Sequence, residues 1–287
     1  MALTSKLSAI GDAIRAKAGT TTKYTLADMP TAIKNLPSGA TTLIGQWCEG
    51  TLKSLSASTV SSVNATAQDL FGGSITKVDL PSCTSLDNFS TLTTYQTVLT
   101  KINLPSLDFT PTSYPWFSNF SALTSLTLGC TRVSRPLAKN NTALTELSLP
   151  ACTSIDTSGP IEGCTNIITA SFPKVSIFQN NEFYAFHKLE KVDMSACTSI
   201  SQGVFCECYS LKTLIIRQTS KVATLSNEMV LTDCYHFSGI TSSTYNPDGA
   251  KDGYIYVPDT LVNSYKTATN WATLADQIKP LSELPTE

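Results

Sequence analysis

Charge is scarce in this chain. Asp, Glu, Lys and Arg make up 15% of its 287 residues and nearly cancel, leaving a formal net charge of −2. No basic stripe is available to neutralise a phosphate backbone or an anionic membrane surface, so nucleic acid is not an expected partner. Only two histidines occur, His187 and His236, and neither belongs to a metal-ligand or nucleophile motif. No glycine-rich phosphate loop is present, and no stretch approaches the roughly 18 to 20 apolar residues of a membrane span. Neither a cofactor nor membrane insertion is therefore expected. Met1 to Ile10 contain no basic segment followed by an apolar run, so they do not read as a secretory signal.

A repeat fills the space that charge leaves. The pattern apolar-x-x-apolar-x-apolar reads Ile75, Val78, Leu80; then Leu99, Ile102, Leu104; Leu123, Leu126, Leu128; and Leu144, Leu147, Leu149. It continues with Ile167, Ala170, Phe172; Leu189, Val192, Met194; and Leu211, Leu214, Ile216. Successive first positions lie 24, 24, 21, 23, 22 and 22 residues apart. A period of this size belongs to stacked coils, each of which buries its apolar face only against its neighbours. A weaker coil begins near Leu52, with Leu55, Val60, Val63, Leu70 and Phe71 as its inward set.

Fixed offsets define further slots. Six residues before a repeat stand Phe117, Ile161, Phe183 and Phe205; three before stand Phe120, Cys164, Phe186 and Cys208. Both sets are expected to fill the core. Cys83, Cys152 and Cys197 each fall eight residues after a repeat start, and Cys130 seven after. Such equivalent positions form ladders in which a thiol packs as a small hydrophobe, so buried free thiols are expected in preference to disulfides. The nine cysteines are in any case an odd number. Cys206 and Cys208 lack a second pair at zinc-ligand spacing. Asp233, Cys234 and His236 contain the elements of a thiol site but crowd the last coil, where a contact with the chain end is the simpler reading.

The ends differ from the repeats. Leu7, Ile10, Ala13, Ile14 and Ala18 follow helical spacing up to Gly19, and Met29, Ile33 and Leu36 offer a second stripe after Pro30. Helices this short need a partner surface. Residues 1–37 are read as a helical attachment or oligomerisation segment, and residues 38–51 as a linker with an edge strand over 42–47. The repeat solenoid spans residues 52–249, and residues 250–287 form an α/β C-terminal cap that covers the last open edge.

The repeats Leu144–Ile155 and Leu189–Ile200, and the return segment Gly203-Val204-Phe205-Cys206-Glu207-Cys208-Tyr209-Ser210-Leu211, resemble BspA-type leucine-rich repeats. The ending built on Tyr256-Val257-Pro258-Asp259, Tyr265-Lys266, Trp271 and Ala275–Leu281 is similar to that of such proteins in gut bacteria and their phages. This resemblance covers residues 52 to 284 and implies a leucine-rich repeat solenoid with short parallel strands on one face and loops and small turns on the others. It also implies roles in adhesion or ligand recognition, with no catalytic residues. The opening Lys6–Ala18, followed by Asp28-Met29-Pro30-Thr31-Ala32-Ile33, resembles the start of tail-associated proteins of phages infecting Firmicutes.

Two outward rows follow from the strand alternation. One is Lys77, Lys101, Ser125, Glu146, Thr169, Lys191 and Thr213; the other is Asp79, Asn103, Thr127, Ser148, Ser171, Asp193 and Ile215. Lys77, Lys101, Asp79, Asn103, Thr127 and Asp193 are the candidate binding residues, although any solvated strand face demands polar residues there. Between Pro105 and Asn119 the pattern lapses, and Tyr114 and Trp116 are candidate loop anchors; Tyr95, Tyr184 and Tyr245 are weaker ones. Leu7, Ile10, Ile14, Met29, Ile33 and Leu36 are the candidate attachment residues. The expectation is a phage virion component of the tail or a fibre. Its N-terminus meets other virion proteins or a second copy, in a homo-oligomer such as a trimer, and its repeats meet a host-surface glycan or protein. The alternatives are a bacterial cell-surface adhesin, or a capsid decoration or spacer protein without ligand.

Overall fold

A computed structural model describes residues 54–56, 58, 62–63, 75–86, 97–107, 117–134, 137–156, 161, 163–179, 181–238 and 246–286. The expected N-terminal helices, the linker, the edge strand over 42–47, residues Leu52, Val60, Leu70 and Phe71, and Tyr95, Tyr114, Trp116 and Tyr245 lie outside these residues.

The repeat strands line up side by side in one parallel sheet. In chain order they are β1 (Ser54–Ser56), β2 (Lys77–Asp79), β3 (Lys101–Leu104), β4 (Ser125–Leu128), β5 (Glu146–Ser148), β6 (Thr169–Ser171), β7 (Lys191–Asp193) and β8 (Thr213–Ile215). Lys77 pairs with Lys101, and the register runs on through Ser125, Glu146, Thr169 and Lys191 to Thr213. Those steps are the spacings of the apolar repeat, so each coil closes in register with the one before it. Val78, Ile102, Leu126, Leu147, Val192 and Leu214 point inward into one continuous buried core.

The sheet does not stop where the period stops. After an excursion holding a 3-10 helix at Glu228–Leu231 and a helical turn at Tyr235–Ser238, β9 (Tyr254–Val257) pairs with β8, and β10 (Ile278–Pro280) pairs with β9. The C-terminal segment thus adds two strands to the same ten-stranded sheet, with a helix at Val262–Thr267 between them.

Other sides of each coil are made of shorter pieces. Ile177–Phe178, Ser199–Ile200 and Thr224–Leu225 form one small parallel sheet, and Arg132–Val133 pairs with Ser154–Ile155. Phe117–Ser118 pairs with Ala138–Lys139 on another side. The corner after the strand is a tight turn in which the amide of Cys83, Leu107, Cys152, Val175 or Cys197 bonds the carbonyl three residues back. In the coil starting at Leu123 this corner is one residue shorter and passes through Gly129. A Cβ there would lie 2.4 Å from the Pro105 carbonyl oxygen, which leaves glycine as the residue that fits.

Ladders join the coils. Thr100, Thr124 and Thr145 each direct both the amide and the hydroxyl to the carbonyl of Thr76, Thr100 and Thr124 respectively. From the repeat at Leu123 onward, the residue four before the repeat is held in the left-handed region: Asn119, Asn140, Gly163, Ala185 and Glu207, followed by Asp233 in the long coil. Asn and Gly suit that conformation; Ala and Glu do not.

The core slots are filled as the offsets imply. Phe117, Ile161, Phe183, Phe205, Phe120, Cys164, Phe186 and Cys208 are all buried, and Phe183 stacks on Phe205 at 5.7 Å. The eight described cysteines are free, seven of them buried; Cys206 is half-buried. Burial pushes the Cys152 and Cys164 thiols up to about 11 and that of Cys197 to about 12. In the slot three before the repeat, Cys208 donates to the Phe183 carbonyl at 3.1 Å and Cys234 to that of Phe205 at 3.0 Å. Asn141 takes the same slot: its Nδ2 donates to the Phe117 carbonyl at 2.9 Å, and its Oδ1 accepts from the Phe120 amide at 2.8 Å. A fully buried amide is tolerated there because both its ends are satisfied.

The C-terminal segment also closes the last small strand. Tyr265 accepts from the Ala223 amide at 2.9 Å, while Trp271 and Asn270 donate to the carbonyls of Ala223 and Leu225, each at 2.7 Å. Side chains here do the work of a further strand, and the edge is left with nothing to template.

Candidate recognition face

The outer face of the ten-stranded sheet carries the candidate binding residues. Lys77 and Lys101 sit on neighbouring strands, both exposed, with Asp79, Asn103 and Thr127 in the adjoining row. Asn103 donates to Asp79 at 2.7 Å, and Ser56 reaches the other Asp79 oxygen at 3.5 Å. Asp193 stands apart on β7, three strands beyond Thr127. At about 4.8 Å per strand that separation is about 14 Å. It accepts from the Ser195 amide and hydroxyl, and Arg217 lies 3.9 Å away. The structure thus brings five of the candidates together and leaves the sixth as part of a second group.

The far end of the face was not legible as binding surface. Tyr254 continues the Lys77 row and Tyr256 the Asp79 row, and the Lys279 ammonium lies 3.9 Å over the Tyr254 ring. Ile215, expected in an outward row, is 1% exposed and its partner Tyr256 5%, so β8 is covered on its outer side at Ile215 while Thr213 stays half-buried. The only sequence signal for this extension is the alternation of Tyr254-Ile255-Tyr256-Val257; its pairing with β8 follows a 41-residue step that no period announces.

Opposite charges are interspersed along the face. Lys77, Lys101 and Lys191 are set against Glu146 in one row, and Asp79 and Asp193 against Lys279 in the next. A face of this kind recognises by shape and hydrogen bonds, with weak salt dependence.

Among the described residues, no group of three or more His, Cys, Asp or Glu side chains is placed to hold a metal ion. No described helix is long and apolar enough to cross a membrane. Cys234 is fully buried, and burial pushes its thiol well above the ordinary range. Its neighbour His236 bonds Asp252, whose carboxyl also accepts from Lys212 at 2.9 Å. Burial works against the Asp252 charge, but these two partners outweigh it and hold the carboxyl below its usual value. His236 therefore ties the long coil to the segment leading into β9, while Cys234 is held as a buried thiol on the Phe205 carbonyl.

A family model described as BspA type Leucine rich repeat region matches the chain in six copies, over residues 46–158 and 139–242. No curated protein matches the chain.

Proposed function

From the premise that the chain belongs to the BspA-type leucine-rich repeat family, we propose that it is a recognition component of a phage virion, carried on the tail or a fibre. The repeats mark a surface or recognition protein, and their solenoid is a binding or scaffold fold. The observation that carries the reading is the continuous outer sheet face with its mixed charges, centred on Lys77, Lys101, Asp79, Asn103 and Thr127. A rigid face of this kind suits a glycan or protein of the host surface. Support for the virion is the resemblance of residues 6–18 and 28–33 to the start of phage tail-associated proteins. Leu7, Ile10, Ile14, Met29, Ile33 and Leu36 are the proposed attachment residues, joining the chain to virion proteins or to further copies in a homo-oligomer. Several copies on one particle raise the effective concentration, so weak single contacts suffice.

The test has two arms. Particles released from a strain carrying the gene are purified on a density gradient and analysed by mass spectrometry, and the full chain, linked as a multimer, is incubated with host cells. The reading expects the chain in the particles and adsorption of the multimer. A chain found in the cell envelope and absent from particles overturns the virion in favour of a bacterial adhesin. Failure of the multimer to adsorb overturns recognition and leaves a spacer or capsid decoration.

A further inference from the structure

A side of the last three coils away from the sheet holds a cluster that the proposed function does not use. His187, Tyr209 and Tyr235 occupy the same slot on successive coils, with ring centroids 4.4 and 4.8 Å apart and planes within 11° of parallel. Beside them, Glu207 Oε1 accepts from the Tyr184 hydroxyl at 2.5 Å and Oε2 from the Tyr209 hydroxyl at 3.2 Å. The His187 Nε2 lies 3.8 Å from Oε2. Tyr184 is 49% exposed, the largest exposed ring among the described residues. Asp233 follows Glu207 in the next coil at the equivalent slot.

Two features set this cluster apart from the other ladders. Its backbone is strained: Ala185 and Glu207 take φ near 61° in a slot that elsewhere among the described residues carries Asn, Gly or Asp. A residue other than Gly or Asx in that region is disfavoured by contact of its Cβ with the backbone. The arrangement also leaves a large apolar ring facing solvent beside a carboxylate fixed in direction. The Glu207 carboxylate has about four lone-pair sites, two of which the phenols take. The hydrogen bond to Glu207, with the charge of that carboxylate, raises the Tyr184 phenol above its ordinary value.

The geometry points to a binding site for a neutral saccharide, with the Tyr184 ring as the platform for the C–H face of a sugar and the free lone pairs of Glu207 accepting its hydroxyls. The carboxylates of Glu207 and Asp233, at equivalent slots of successive coils, disfavour uronic and sialic acids, and both faces of the Tyr209 ring are already covered by its stacking partners, which leaves no aromatic cage for a cation there. The inference rests on the recognition reading for the origin of the sugar at a cell surface, while its chemistry stands on the cluster alone.

Affinity electrophoresis of the full chain tests it, in gels holding a soluble glucan, mannan or galactan, with polygalacturonate and polylysine as charged probes. At least one neutral polysaccharide is expected to retard the chain, and Tyr184→Ala and Glu207→Asn each to weaken that retardation at least tenfold. Asn favours the left-handed backbone, which offsets the loss of the two phenol hydrogen bonds, so Glu207→Asn is expected to stay close to the wild-type thermal midpoint, which separates lost binding from lost folding. No retardation by any neutral polysaccharide, unaltered retardation of both variants, or binding only to polylysine with loss in salt overturns the site. Adsorption of the same preparations to host cells after linking them as multimers reports the recognition reading separately: wild-type chain that is retarded in the gel, yet whose multimer fails to adsorb, overturns that reading and leaves the saccharide site standing.

Discussion

Seven residues before the repeat, the ladder that carries Leu137 and Val204 elsewhere carries Glu182. It is 1% exposed. Burial raises its carboxyl from 4.5 to about 8, against a lowering backbone hydrogen bond from Gln179 and with a smaller push from the charge of Asp156. Between those values the folded chain holds a proton that the unfolded chain has released. Stability therefore falls as pH rises through that window and levels off above it. The fall attributable to this residue is on the order of 5 kcal/mol. Urea denaturation at pH 5 and pH 8 checks the sign: Glu182→Leu is expected to be the more stable chain at pH 8 and to lose most of the difference between the two pH values. An unchanged difference means that the carboxyl finds a partner when it ionises.

At the scale of elements, the apolar spacing and the sheet register are the same numbers, because a coil cannot bury Val78 or Leu126 unless each turn returns to the same height. The seven strands from Lys77 to Ile215 were legible for that reason. So were the core slots at Phe117, Phe183 and Cys208, and the placing of Lys77, Lys101, Asp79, Asn103 and Thr127 on one face. Pairing of β9 and β10 was not, since it depends on closure of a long excursion that carries no period. The Tyr184 and Glu207 cluster was half hidden for the same cause: Tyr184 was one of three weaker tyrosine candidates, and the stack joins Tyr235, which belongs to that excursion, to His187 and Tyr209. Left-handed backbone at Asn140 or Gly163 is what those residues favour; at Ala185 and Glu207 the ladder overrides local preference.

The cap illustrates what one element contributes. Trp271 is buried, meets the Tyr265 ring edge-on at 5.2 Å, and donates to the Ala223 carbonyl. Trp271→Ala removes a core ring and leaves a buried acceptor unpaired, so a loss of about 3–5 kcal/mol is expected in the denaturation midpoint analysis. Trp271→Phe, which keeps most of the ring volume, is expected to lose only the hydrogen-bond share, about 1–3 kcal/mol. Equal losses for the two variants are not compatible with this account.

As a whole molecule, the solenoid is a chain of nearest-neighbour interfaces, and its parts are exchangeable in a way that a globular core does not allow. Removing residues 146–168 joins Thr145 to Thr169 and sets β4 against β6 with every slot in register. The shortened chain is expected to unfold in one cooperative step, with a denaturant slope lower by roughly a tenth, as the smaller buried surface requires. Removing residues 254–286 instead uncovers β8 and the Thr224–Leu225 edge, and that chain is expected to aggregate. A soluble capless chain contradicts the account of the ending.

Lysine footprinting addresses the recognition face most directly. The multimerised full chain is acetylated free and while adsorbed to host cells, and each lysine is quantified by mass spectrometry. Lys77 and Lys101, exposed on the sheet face, are predicted to be protected on adsorption, whereas Lys174 and Lys221, exposed on the turns between strands, are predicted to react as in the free chain. Protection of Lys174 and Lys221 with Lys77 and Lys101 left reactive contradicts recognition through the sheet face.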